Sequence, residues 1–243
     1  MITFVLLIVH FLADFTFQSK KVAEKKKYGY KYLGLHSFIY FCMVLIIGSL
    51  CVSVRRVWGG ILVISISHAL IDLGRATIDR KSNNKNLKFG LFLLDQILHI
   101  SIIIFVSGMF NFPKYSTRLW NYCAQFGELK TILGYLLTFI ILWDPVSILI
   151  KMLFQVFTEE DEDGSVQSGV NAGSLIGKME RMIIGILVLA NQLGGIGFVL
   201  TAKSIARYKQ LEDKDFAEKY LIGTLTSTSL AIAIAMLVKK IIL

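Results

Sequence analysis

The chain has 243 residues, of which 55% are hydrophobic and only 18% charged, with a formal net charge of +9. A mean hydropathy of +0.63 is too apolar for a water-soluble domain, and apolar runs of roughly 18 residues read as membrane-spanning helices. β-Barrel alternation is absent. The excess positive charge falls in connections, where it marks a side facing anionic lipid headgroups and says little about nucleic acid, which is not an expected partner.

The expected fold is all-α: a polytopic bundle of about seven transmembrane helices. It reads as one integral membrane domain over 1–243, with a polar-site half at 1–110 and a helical second half at 129–243. Residues 2–18 form a short first span. This run lacks the basic flank and small-residue cleavage site of a signal peptide, so it reads as a retained helix. The basic stretch 19–32, with Lys20, Lys21 and Lys25 to Lys27, is predicted to lie in the cytoplasm. Span two covers about 33–54, followed by a tight connection at Arg55 to Trp58, and span three covers about 59–77. A second basic loop, carrying Arg75, Arg80, Lys81, Lys85 and Lys88, leads into span four at about 89–110. A polar connection over 111–128 is predicted to hold a short interfacial helix with Trp120 and Tyr122.

Span five, about 129–150, contains Asp144-Pro145, where proline predicts a kink. An acidic loop at 157–173 follows. Glu159 to Gly164 faintly resemble the start of a calcium loop, but position twelve is Val170 where a carboxylate is required. Span six, about 178–202, is glycine-rich, and span seven covers about 216–238. The segment 203–215 is basic yet falls outside in a seven-span topology. Span six is therefore expected to be re-entrant or broken at its glycines, unless the second half holds a different number of spans. Cys42, Cys51 and Cys123 show no paired spacing and imply no disulfide framework.

The chemistry concentrates in four polar insertions: HFLADFTFQ (His10, Asp14, Gln18), LHSF (His36), HALID (His68, Asp72) and DQILH (Asp95, His99). All four histidines of the chain lie here. Three have an aspartate four residues away, a spacing that puts both on one helix face. Such residues are costly in a membrane and need a partner or a purpose. In the predicted topology all seven fall within roughly 15 Å of the cytoplasmic boundary. Imidazole and carboxylate together suit a divalent metal, with Zn²⁺ foremost and Mn²⁺ or Fe²⁺ also compatible. The candidate ligands are thus His10, Asp14, His36, His68, Asp72, Asp95 and His99. The candidate catalytic groups are Asp14, Asp72, Asp95 and Gln18. A proton relay, a haem site and a structural polar network are the other readings of the same residues.

The insertions, together with IGKMER, AKSIARY and AEKYLIGTLTS further along, resemble an uncharacterised bacterial membrane family, domain of unknown function 3307. Leu35-His36-Ser37 followed by His68 to Asp72 is similar, more loosely, to a pattern of bacterial inner-membrane metal-dependent hydrolases. The threonine and upstream HRG-type element of that pattern are not present.

These observations lead to an expected multi-pass protein of the bacterial cytoplasmic membrane, in contact with bilayer and anionic headgroups. It would be a metal-dependent hydrolase acting on a lipid-linked ester or phosphoester. A metal-ion or proton-coupled transporter and a non-catalytic membrane subunit are the alternatives.

Overall fold

The computed structural model describes residues 1–17, 29–157 and 172–242. Gln18, most of the basic stretch 19–32 and nearly all of the acidic loop 157–173 lie outside the described residues. Among the described residues the chain is helical with no β-strand, as expected. Five helical segments are long and apolar enough to cross a membrane: Tyr30–Cys51, Val54–Lys81, Lys85–Met109, Leu129–Phe157 and Lys214–Ile242. The other two expected spans take different forms, described below. Large apolar side chains such as Phe38, Ile46, Leu94 and Phe105 are exposed while His10, His36 and His68 are buried. This pattern suits lipid outside and polar groups inside.

The chain divides into two compact units, Met1–Leu133 and Gly134–Leu243. The first begins with α1 (Ile2–Phe11), which runs directly into a π-helical turn at Leu12–Thr16. Helices α2 (Tyr30–Cys51), α3 (Val54–Lys81) and α4 (Lys85–Met109) follow. The helix α3 runs through both expected loops, so Arg55, Arg56 and Arg75 are helical. The Asn84 side chain caps α4 by accepting from the backbone N–H groups of Asn86 and Leu87. Beyond α4 come a 3₁₀ turn at Phe112–Tyr115 and α5 (Arg118–Ala124), the short helix expected near Trp120.

These connections close one end of the unit. Val52 and Ser116 form an antiparallel bridge, and the Thr117 hydroxyl donates to the Leu50 carbonyl at 2.6 Å. The fully buried Phe112 ring seats against Gly60, where an added Cβ would stand 2.7 Å from the ring. The opposite end carries the basic turn between α3 and α4.

The boundary between units falls within α6 (Leu129–Trp143). Asp144 interrupts the helix and Pro145 opens α7 (Pro145–Phe157), where its missing N–H costs nothing. The predicted kink is therefore a helix break. The expected span six is divided too. Helix α8 (Ala172–Leu189) ends at a turn in which Asn191 adopts φ 59°, a left-handed conformation that asparagine tolerates. Then α9 (Gly194–Ala206) folds back. Gly195 makes this possible, since a Cβ there would lie 3.0 Å from Leu187. Lys203 on α9 reaches Glu180 on α8 at 2.6 Å, fixing an antiparallel hairpin. The long α10 (Lys214–Ile242) braces it: the Lys239 ammonium donates to the Val188 and Leu189 carbonyls at 3.2 Å and to Asn191 Oδ1 at 2.5 Å.

Two outcomes follow from this packing. Replacing Gly60 by alanine should destabilise the protein by about 1–3 kcal/mol through overpacking against Phe112, read as a lowered melting temperature in detergent. An unchanged melting point would mean that the Phe112 ring moves freely. Separately, the hairpin brings 173 and 209 back to one side of the membrane. Single cysteines at these positions, in an otherwise cysteine-free protein, should be labelled from the same face of sealed vesicles. Labelling from opposite faces would show α8 and α9 to cross the bilayer together.

Candidate metal centre

The site is built by five described elements of the first unit. His10 lies in the last turn of α1, Asp14 sits in the π turn, His36 lies in the second turn of α2, His68 and Asp72 lie on α3, and Asp95 and His99 lie on α4. All seven side chains are buried, and Asp14 is the most exposed at 9%. Asp72 precedes the basic Lys81 by nine residues and Asp95 follows Lys85 by ten, so the cluster stands roughly 13–15 Å in from the basic turn.

Four atoms converge. His36 Nε2 lies 3.0 Å from Asp14 Oδ1, 3.2 Å from His68 Nε2 and 3.3 Å from Asp72 Oδ2. His68 Nε2 lies 3.5 Å from the same Asp14 oxygen and 3.9 Å from the same Asp72 oxygen. Five of the six separations among these four atoms are thus 3.0–3.9 Å. Ligand atoms around tetrahedral Zn²⁺ stand about 3.4 Å apart, given bonds of about 2.0–2.2 Å. A proton network fits this arrangement poorly. His36 Nε2 carries at most one hydrogen but has three polar neighbours, and a second imidazole nitrogen faces it.

The remaining residues adjoin this set. A group of Asp72, Asp95 and His99 offers ligand atoms within 4.8 Å of one another, as does a group of His10, Asp14 and His68. The ring nitrogens of His10 and His99 have no hydrogen-bond partner of ordinary geometry, although Gln96 approaches His10. The Asp95 Oδ2 atom, by contrast, is held by Arg75 Nη1 and Gln96 Nε2, both at 3.0 Å, while Oδ1 has no hydrogen-bond partner. Gln96 Nε2 also reaches Asp14 Oδ2 at 3.4 Å.

The three His/Asp pairs do not behave alike. His68/Asp72 and Asp95/His99 stay within ion-pair reach at 3.9 and 3.8 Å along their α-helices. Asp14, held in the π turn, makes its short contacts with His36 and His68 while its ligand atom stays within 4.8 Å of that of His10. Asp144, the other carboxylate expected within a span, pairs with Lys178 of its own unit at 2.6 Å.

Three contributors escape a sequence-based search. Arg75 reads there as a loop cation that sets topology, yet it pairs with Asp95. Gln96 sits inside DQILH, where the charged neighbours draw attention away from it. Tyr40, one helical turn beyond His36, stacks on the His68 ring at 3.6 Å between centroids with the planes 3° apart. Its four-residue offset from His36 on one helix face is the signal that could have found it.

A family model described as a protein of unknown function (DUF3307) matches residues 2–126, which hold all four polar insertions. The further motifs at 176–181, 202–208 and 217–227 lie beyond that match. No curated protein matches the chain, and no solved structure does.

Replacing Arg75 by leucine should leave Asp95 Oδ2 with the Gln96 amide as its hydrogen-bond donor and cost about 1.5 kcal/mol, the low end for a bond to a charged group because Arg75 is partly exposed. Thermal unfolding in detergent reads the loss, and the additional change Asp95→Asn should restore part of it. Equal stability of Arg75→Leu and wild type would remove Arg75 from the account of the site.

Proposed function

The chain belongs to the DUF3307 family, whose description assigns no activity, and we propose from its own geometry that it is a metal-dependent hydrolase of the bacterial cytoplasmic membrane. The observation that carries the proposal is the gathering of two imidazole nitrogens and two carboxylate oxygens about His36 and His68 at 3.0–3.9 Å, the range of metal-ligand spacing. His36, His68, Asp14 and Asp72 would hold one divalent ion, and the charge of the two carboxylates matches that of the ion. Zn²⁺ suits the donors best, with Mn²⁺ and Fe²⁺ accepted by the same set.

Such an ion supplies Lewis acidity and brings a bound water to a pKa of about 7. The protein's residues supply the rest. Tyr40 fixes the plane of the His68 ring by stacking. Gln96 holds Asp14 through its second carboxylate oxygen. His10, buried with both nitrogens unbonded and grouped with Asp14 and His68, is placed to accept a proton from water. The basic turn between α3 and α4 places the site toward the cytoplasmic face by the positive-inside rule. Substrate would come from the bilayer, past the π turn at Asp14, so a lipid-linked ester or phosphoester is its class.

The test is metal content and activity of detergent-purified protein. Wild type should retain at least one Zn²⁺, Mn²⁺ or Fe²⁺ per chain. His36→Ala and His68→Ala should each weaken binding at least tenfold. Binding should weaken as the pH falls, because protons compete for the ligand imidazoles and carboxylates. Short-chain esters and phosphodiesters in mixed micelles should be cleaved, with activity lost to chelator and restored by metal. Protein without stoichiometric metal after reconstitution would sink the reading. Bound metal with uptake into liposomes and no cleavage would replace hydrolysis by transport.

A further inference from the structure

The four-atom set has one shortcoming as a catalytic centre. Four protein ligands fill a tetrahedron, which is the pattern of a structural ion, whereas catalytic zinc keeps three protein ligands and an open position. A three-ligand group lies directly beside it. Asp72, Asp95 and His99 present ligand atoms within 4.8 Å of one another, and Asp72 belongs to both groups. The His68 and His99 rings stand 4.4 Å apart between centroids, so the groups are neighbours.

We propose that the centre is dinuclear: a second divalent ion binds Asp95, His99 and Asp72, with the Asp72 carboxylate bridging to the ion held by His36, His68 and Asp14. This rests on the metal reading above and adds the ion with the open position.

Three observations support it. First, His99 is 3% exposed and neither ring nitrogen has a hydrogen-bond partner. A buried imidazole left in that condition costs free energy unless a ligand takes it. Second, Asp95 is also 3% exposed and is held from one side only. Arg75 and Gln96 grip Oδ2, while Oδ1 is buried without a partner. A carboxylate anchored through one oxygen and presenting the other is how an outer layer of hydrogen bonds orients a ligand. Third, the helical repeat supplies the shared residue. Asp72 follows His68 by one turn on α3, just as His99 follows Asp95 by one turn on α4. Facing helices carrying paired His and carboxylate residues are a recurring frame for two-metal sites, with the ions about 3.5–4 Å apart.

The test loads detergent-purified, chelator-stripped full-length protein with Mn²⁺ alone. Bound metal is counted by mass spectrometry, and coupling is read by electron paramagnetic resonance. Two Mn²⁺ per chain with an exchange-coupled signal are expected. His99→Ala and the near-isosteric Asp95→Asn should each bind one ion, lose the coupling and still melt higher with Mn²⁺ than without, which shows a folded first site. One ion in the wild type would overturn the dinuclear centre and leave the single-ion reading standing. No ion would overturn both. Two uncoupled ions, or variants that keep two, would overturn the Asp72 bridge or the assigned ligands.

Discussion

A low-dielectric interior cannot carry several polar groups without satisfying them, and His36 Nε2 meets that constraint most acutely. Its three polar neighbours at 3.0–3.3 Å exceed what one proton can serve. A divalent cation at their centre would replace several hydrogen bonds at once and neutralise two carboxylates. The rest of the first unit is arranged around that point. Five described elements set their polar residues at one depth, Tyr40 holds His68 by its flat face, and Gln96 ties Asp14 to Asp95. The far end closes independently through the Val52–Ser116 bridge and the buried Phe112.

The second unit meets the same constraint differently. Lys178 pairs with Asp144 and Lys203 with Glu180, both at 2.6 Å. Arg181, only 3% exposed, donates to the Leu142 carbonyl where α6 breaks, and to the hydroxyls of Ser147 and Ser227. Here each named charge has a partner that explains its presence structurally. In the first unit, by contrast, the ring nitrogens of His10 and His99 and one oxygen of Asp95 are buried with no hydrogen bond of ordinary geometry. Buried polar groups that are paired hold a fold together, whereas buried ligand atoms left unpaired at metal-ligand spacing point to a site. This difference places the candidate chemistry in the first unit.

Much of this was legible in the sequence. The membrane class, the short helix at Trp120 and the gathering of the polar insertions follow from hydropathy and helical spacing, and proline marks the place, though not the extent, of the interruption at Asp144-Pro145. The missed features share a physical cause. Hydropathy marks where apolar surface stops, not where hydrogen bonding stops, so α3 continues to Lys81 and carries Arg75 inward against Asp95. The π turn at Leu12–Thr16 has no compositional signature, yet it carries Asp14 into the cluster beside His36 and His68. The α8–α9 hairpin shows itself in sequence only as a run of glycines and amides. What settles it is a long-range contact, Lys203 with Glu180, that no local pattern encodes.

The π turn also links the site to the stability of the fold. With its π turn, α1 covers Ile2–Thr16 and is shorter than the helices long enough to cross a membrane. Between apolar helices in lipid there is no hydrophobic driving force, so packing and polar contacts must hold a short helix in place. Near the start of α1, the Thr3 and Ser107 hydroxyls lie 3.0 Å apart. Near its end, Asp14 meets His36 and His68. An ion at that point would cross-link α1 to α2 and α3, and its binding free energy would then contribute to folding. The π turn that carries Asp14 to the cluster would therefore serve both roles: it would complete the ligand set, and it pins the short first helix to the bundle.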